Sequence, residues 1–319
     1  MLYDFAPMEG ITGRLFRLRH YEYFGGADRY FTPFVSPNQH HVFSAKELGD
    51  VLPEGNGAVP IVPQILTKNA EDFLWCAREM KRMGYREVNL NCGCPSGTVA
   101  AKGKGSGMLE DLKKLEAFLD AVFEKANVAV SVKTRLGLVE DEEFWAVLEL
   151  FSRYPIAQLI VHPRVQKDFY KGRARVSVFD EAMGRTTLPL GYNGDLATSA
   201  QCLDFADSHG GIKSVMVGRG ALCDPALFRK CKGGKAAAAE ELQGFYEALF
   251  EDYCEAFHSV KNAMRPMKEL WAFQLRLFAG ENKTRLSKAL RKCTDGGEYK
   301  ETVKRIFREL QLLEEAEEE

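Results

Sequence analysis

The chain has 319 residues, of which 45% are hydrophobic and 28% charged, and its net charge is −2. This is an ordinary globular composition, long enough for one large and one small domain and for a large core without disulfides. The near-zero charge rules out a chain that is basic or acidic throughout, no apolar run nears the ~18 residues of a membrane span, and the opening MLYDFAPMEG does not read as a signal peptide.

Taken in order, short β-rich apolar runs are expected at Tyr3–Ala6, Tyr30–Val35, Val59–Leu66, Glu87–Asn91, Val128–Thr134, Ala157–His162, Leu188–Tyr192 and Ser214–Val217. Apolar residues at helical spacing predict helices over Asn69–Met83, Asp111–Lys125, Asp141–Tyr154 and Ser199–His209. Eight strands alternating with helices define an α/β chain and the pattern of a (β/α)8 TIM barrel over residues 1–232, with a doubly wound open sheet as the structural alternative. A Gly/Lys-rich break at Lys230–Lys235 is expected to be a linker. Helices then follow at Glu240–His258, Asn262–Phe278, Leu286–Cys293 and Glu298–Leu313, the makings of a small all-α helical-bundle domain over 238–313. The terminal run 314–319, five glutamates and an alanine, is expected to be a disordered acidic tail.

Charge is unevenly spread. Residues 261–309 hold 13 Lys/Arg and 6 Asp/Glu, an excess of seven positive charges that leaves the rest of the chain at −9. A basic helical block on an acidic body suits a polyanionic partner, although a lysine-rich solvated surface accounts for the same numbers. The eight cysteines form no C-x-x-C pair, which fits buried free thiols in a reducing cytosol. Cys92 and Cys94 have no partner motif, so no metal site is expected.

In a TIM barrel the reactive groups lie past the C-terminal ends of the strands. Polar or glycine-rich groups recur there: Pro7-Met8-Glu9-Gly10, Gln64, Asn91-Cys92-Gly93-Cys94-Pro95, Lys133 and Arg135, His162 and Arg164, Asn193-Gly194-Asp195, and Gly218-Arg219-Gly220. Glycine turns after the last two strands expose backbone N–H groups to an anion, the usual phosphate cup of this fold. Lys133 sits in an apolar strand and needs an anionic or strongly accepting partner; the N1–C2=O edge of a flavin and a barrel carboxylate both qualify. Cys94 lies in a turn that can present a thiol at the barrel mouth, where it could act as a general acid, while Cys92 reads as packing.

These motifs, in this order, together with Ala6-Pro-Met-Glu-Gly-Ile11 and Leu15-Phe16-Arg17, resemble the bacterial tRNA-dihydrouridine synthases over essentially the whole chain. The resemblance implies an FMN-containing barrel, a helical RNA-binding domain, and NADPH or NADH as external reductant. Pro7, Met8, Glu9, Gln64, Lys133 and His162 would then line the flavin. Asn193, Gly194, Asp195, Gly218 and Arg219 would hold its phosphate. Cys94 would be the acid, Asn91 would face the uracil, and Arg135 and Arg164 would approach the nucleotide. The opening Met8-Glu9-Gly10 stands where many members carry Met-Ala-Gly, and Gly13 stands where an Asp is common. The expected partner is tRNA, with ribosomal RNA as the other candidate, acted on by a cytoplasmic monomer. Competing readings are an FMN-dependent dihydropyrimidine or dihydroorotate dehydrogenase acting on free pyrimidines, and a non-catalytic RNA-binding protein.

Overall fold

The structure, a computed structural model, describes residues 1–317. Its main sheet has nine strands: β1 (Leu2–Phe5), β2 (Arg29–Phe31), β3 (Ile61–Val62), β4 (Gln64–Ile65), β5 (Glu87–Cys92), β6 (Ala129–Arg135), β7 (Leu159–His162), β8 (Leu190–Tyr192) and β9 (Ser214–Val217). Their order is β3-β2-β1-β9-β8-β7-β6-β5-β4. The two strands at the ends of that order, β3 and β4, are separated in sequence by Pro63 alone. Proline has no N–H to donate to a ladder, so the single strand expected over Val59–Leu66 is broken there. Its first half pairs with β2 (Phe31↔Val62) and its second with β5 (Gln64↔Asn89). Nine segments therefore occupy eight strand positions, and the parallel sheet nearly closes into a TIM-like barrel. All eight expected strands are present, and the first four expected helices appear as Ala70–Arg82, Leu112–Lys125, Glu143–Ser152 and Ser199–Ser208.

The chain folds as two compact units. The first comprises 1–7, 28–195 and 206–216 and holds the strands. Its buried apolar cluster includes Ala6, Phe31, Val62, Ile160 and Met216. The starts of its strands are tied by charge. Arg29 pairs with both carboxylate oxygens of Asp4 (2.8 and 2.7 Å), reaches Glu87 at 3.4 Å and donates to Gln158 (2.6 Å), which donates to Ser214 (2.7 Å).

The second unit comprises 8–27, 196–205 and 217–319. Its helices include Arg14–Tyr23, Ala239–Phe257, Val260–Gln274, Lys283–Lys292 and Gly296–Glu309. The helix Arg14–Tyr23 packs on Ala239–Phe257, where Phe16 meets Phe245 edge-on and Arg19 forks onto Asp252. Tyr246 stacks on Trp271 at 4.3 Å, and the Trp271 indole N–H donates to Tyr299. A two-stranded antiparallel pair, β10 (Phe278–Ala279) with β11 (Gln311–Leu312), accompanies these helices.

Two expectations are corrected here. Lys230 and Cys231 are not linker: they end the helix Leu227–Cys231, and Lys230 bridges Asp224 and Glu315. Nor are residues 314–317 a free tail. Glu315 accepts from Ser199, Ala316 is buried, and Glu317 bonds to Arg276 and Lys283. Residues 318 and 319 lie outside the described residues.

Candidate active site

The C-terminal end of β5 organises the barrel mouth. A chain of buried amides crosses it. Asn89 donates to Ser131 Oγ (3.0 Å), Gln64 donates to Asn89 Oδ1 (2.8 Å), and Asn91 donates to Gln64 Oε1 (2.7 Å). The Asn91 Oδ1 then accepts from the backbone N–H groups of Gly93 (3.1 Å) and Cys94 (2.9 Å). That last pair is an Asx-type turn, which is why Asn suits the position before the cysteine turn. Each amide NH2 group has two donors and spends one on its neighbour, so Gln64 and Asn91 keep one N–H each for a ligand.

The two cysteines of the turn differ in exposure. Cys92 is fully buried, with its Sγ 3.8 Å from Met108, and burial pushes its thiol well above the ordinary range. Cys94 is only half-buried. Its carbonyl is held by Ser106 through the backbone N–H (3.1 Å) and the hydroxyl (2.8 Å), so the thiol is carried on a braced turn.

Strand register places Lys133 directly opposite Asn91. Its ammonium forms no hydrogen bond or ion pair with any described residue, which removes the expected alternative of a barrel carboxylate. Burial, with Arg135 beside it, pulls the amine down to about 7, and the Cys94 side chain acts in the opposite sense. The amine at this place therefore favours its protonated form when an anion arrives.

Arg135 and His162 are also register partners. Arg135 is 1% exposed and donates to the carbonyls of Gly93 (3.0 Å), Val165 (3.0 Å) and Phe169 (2.7 Å). Arg164, equally buried, meets His162 Nε2 (3.1 Å), Asp195 Oδ2 (2.7 Å) and the carbonyls of Lys171 and Gly172. Both guanidiniums expected at the nucleotide thus brace the loop after β7. Asp195 is likewise committed, accepting from Arg164 and from Ala174 N–H (2.7 Å). Its φ of +45° places it in the left-handed region. Asn193 ties β8 to β9 through Met216 O (2.8 Å), and a side chain at Gly194 would lie 2.9 Å from Tyr192 Oη.

Pro7 lies two residues past the end of β1, in this first unit. Met8, Glu9, Gly218 and Arg219 belong to the second. There Met8 N–H donates to Thr12 Oγ1 (2.8 Å), Glu9 is exposed, and Gly218 precedes the short helix Arg219–Cys223. The neighbouring Gly220 is required: a Cβ would lie 2.5 Å from Leu196 O.

Sequence reasoning passed over Asn89, Ser131, Ser106 and Tyr170. Tyr170 is 49% exposed, stacks over the Arg135 guanidinium at 5.4 Å and lies 6.3 Å from the His162 ring. A Phe-Tyr pair in an otherwise polar loop was the available signal. Among the described residues no three His, Cys, Asp or Glu side chains converge as metal ligands.

The parallel sheet with a thiol, an unpaired amine and buried amides past its strand ends is a TIM-like barrel with its reactive groups where that fold carries its sites. Solved structures share the fold: 2-naphthoyl-CoA reductase (TM-score 0.56, 10% identity, 73% of this chain and 50% of that one) and morphinone reductase (TM-score 0.51, 14% identity, 75% and 87%). The family model for dihydrouridine synthase matches residues 4–312. A probable tRNA-dihydrouridine synthase of Staphylococcus aureus (strain COL) is 31% identical over 233 residues, 70% of each chain. Probable tRNA-dihydrouridine synthase 2 of Bacillus subtilis (strain 168) is 28% identical over 298 residues, 91% of this chain and 90% of that one. The chain belongs to the dihydrouridine synthase family, whose reaction is the reduction of uridine to dihydrouridine.

Proposed function

We propose that this chain reduces the C5–C6 double bond of uridines in tRNA, with FMN as its cofactor, NADPH or NADH as the source of electrons, and Cys94 as the proton donor. The single observation that carries the reading is a half-buried Cys94 thiol on the turn after β5 together with an unpartnered Lys133 amine on the neighbouring strand β6, opposite Asn91. The donor set fits a flavin. Lys133 offers a cation to the N1–C2=O edge, and Gln64 keeps an amide donor. Bound FMN would supply the hydride that reaches uracil C6.

The residues do the rest. Asn91 keeps one N–H for the uracil edge, while its Oδ1 fixes the turn that aims Cys94. The thiol donates its proton to C5, and the resulting thiolate lies within the field of Lys133 before solvent reprotonates it. A uridine inside folded RNA must leave its stack to reach this depth. The excess positive charge over 261–309, on the helices of the second unit, supplies phosphate contacts. Arg135 and Arg164 act as positioning residues for the loop that carries Tyr170, and Asn193, Gly194 and Asp195 shape the end of the barrel where a flavin phosphate would lie.

The test is Cys94→Ala. The variant should keep its flavin and still oxidise NADPH, yet form little dihydrouridine in a transcribed tRNA. Parent-rate product formation would remove Cys94 from the mechanism. Turnover of free uracil or orotate in place of tRNA would move the protein to the free-pyrimidine dehydrogenases.

A further inference from the structure

The loop that leaves the barrel at Cys94 returns to it. Besides the two Ser106 bonds to the Cys94 carbonyl, Gly105 sits at φ +59°, where a Cβ would lie 2.9 Å from the Cys94 Cβ. A Cβ at Gly107 would meet Ala100 O at 2.4 Å. The loop's ends are therefore locked together, and a force on the loop is a force on the thiol's turn.

Between those ends the sequence has two lysines, Lys102 and Lys104, and no acidic residue. Lys68, from the loop after β4, lies along the same segment: a Cβ at Gly103 would be 3.5 Å from its Cδ and 3.6 Å from its Nζ. Lys104 reaches back to Ser36 Oγ at 3.0 Å. Lys68 and Lys102 are exposed, and none of the three amines has an ion-pair partner among the described residues. Two acids of the neighbouring elements, Glu47 and Asp72, make their hydrogen bonds to other residues and form no ion pair with these amines. Glu47 accepts from Ser36 N–H and from Ser44, and Asp72 pairs with His41 and accepts from Thr67. Three amines with no ion-pair partner among the described residues favour an anion, and an RNA strand presents one phosphate per nucleotide.

We infer that Lys68, Lys102 and Lys104 form a phosphate-contacting rim that holds the RNA strand bearing the target uridine beside Cys94. This rests on the RNA substrate proposed above, and it places RNA contacts on the barrel itself in addition to the basic helices. Because Lys102 and Lys104 share one closed loop with the thiol, strand docking would also steady the proton donor.

The test uses the flavin-loaded enzyme, a transcribed tRNA, and a salt series. Lys68→Ala/Lys102→Ala leaves no hydrogen bond broken. As a control, Lys113→Ala/Lys125→Ala on the helix Leu112–Lys125 removes the same charge from exposed positions elsewhere. The rim pair should lower the slope of log affinity against log salt by about two, about one per phosphate contact. It should weaken tRNA binding about tenfold near physiological salt. Flavin content and the rate of flavin reduction by NADPH without RNA should stay at parent values, and the control pair should bind as the parent does. An unchanged slope and affinity would overturn the rim, as would an equal loss in the control pair. Slower NADPH reduction with unchanged tRNA affinity would also overturn it, by assigning the amines to the dinucleotide's phosphates. Failure of the unaltered enzyme to bind the transcript would overturn the RNA reading together with the rim.

Discussion

The two ends of the barrel strands use charge in opposite ways. At the strand starts, the Arg29 guanidinium is enclosed by Asp4, Glu87 and Gln158, and Asp4 is wholly buried. Burial pushes the Asp4 carboxyl up, and Arg29 acts against that rise. At the strand ends, Lys133 has no carboxylate partner among the described residues, and Arg135 donates to backbone carbonyls and stacks with Tyr170. A closed charge network holds a scaffold together. An amine with no partner among the described residues leaves a charge that a bound anion would answer.

Arg29→Ala leaves Asp4 charged and buried without its partner, and should cost about 3–5 kcal/mol of stability in denaturant unfolding. The variant, where folded, should keep its flavin affinity. A loss of flavin affinity without a loss of stability would mean that the two ends are not separate in function.

At the mouth, the Lys133 amine is held down to about 7 in the free protein, against an ordinary value of 10.5. The sign follows from linkage. Between those two values the unfolded chain binds more protons than the folded one, so this residue makes stability rise with pH across that window. A ligand that prefers the ammonium reverses the sense. FMN binding should take up a proton near pH 8, and its affinity should fall above pH 7 by up to tenfold per pH unit, about 1.4 kcal/mol. Calorimetry in buffers of different ionisation enthalpy measures the uptake. Lys133→Met should abolish both effects, and a pH-independent affinity in the parent would count against the unpaired amine.

A smaller effect is expected at the brace of the cysteine turn. Ser106→Ala removes one of two bonds to the Cys94 carbonyl, about 1 kcal/mol, and should lower product formation more than it lowers flavin binding. Equal effects on both would make the brace merely structural.

The strands were legible because β-branched and apolar runs recur at regular spacing. The strand-end chemistry was legible because seven of the eight expected strands carried a polar or glycine-rich group at the same end. Residues whose role depends on the path of a loop were not. The resemblance sets Arg135 and Arg164 near the nucleotide, and their bonds to the loop after β7 could not be read from the sequence. The helix Arg14–Tyr23 was not foreseen, since its apolar stripe is interrupted by Arg17 and His20, both buried. His20 is neutral there, because burial pulls its imidazole down to about 3. The acidic C-terminal run read as a free tail because charge density alone says nothing of partners such as Ser199, Lys230 and Lys283, which lie far away in sequence.

The most direct test is a single turnover. Flavin-loaded enzyme is reduced anaerobically, excess reductant is removed, and tRNA transcript is mixed in while dihydrouridine is quantified by mass spectrometry. With Cys94→Ala the rate of product formation should fall by about 10²–10⁴ relative to the parent, while tRNA affinity and flavin content stay unchanged. Equal single-turnover rates would contradict the assignment of Cys94 as the proton donor and the account of the barrel mouth built on it.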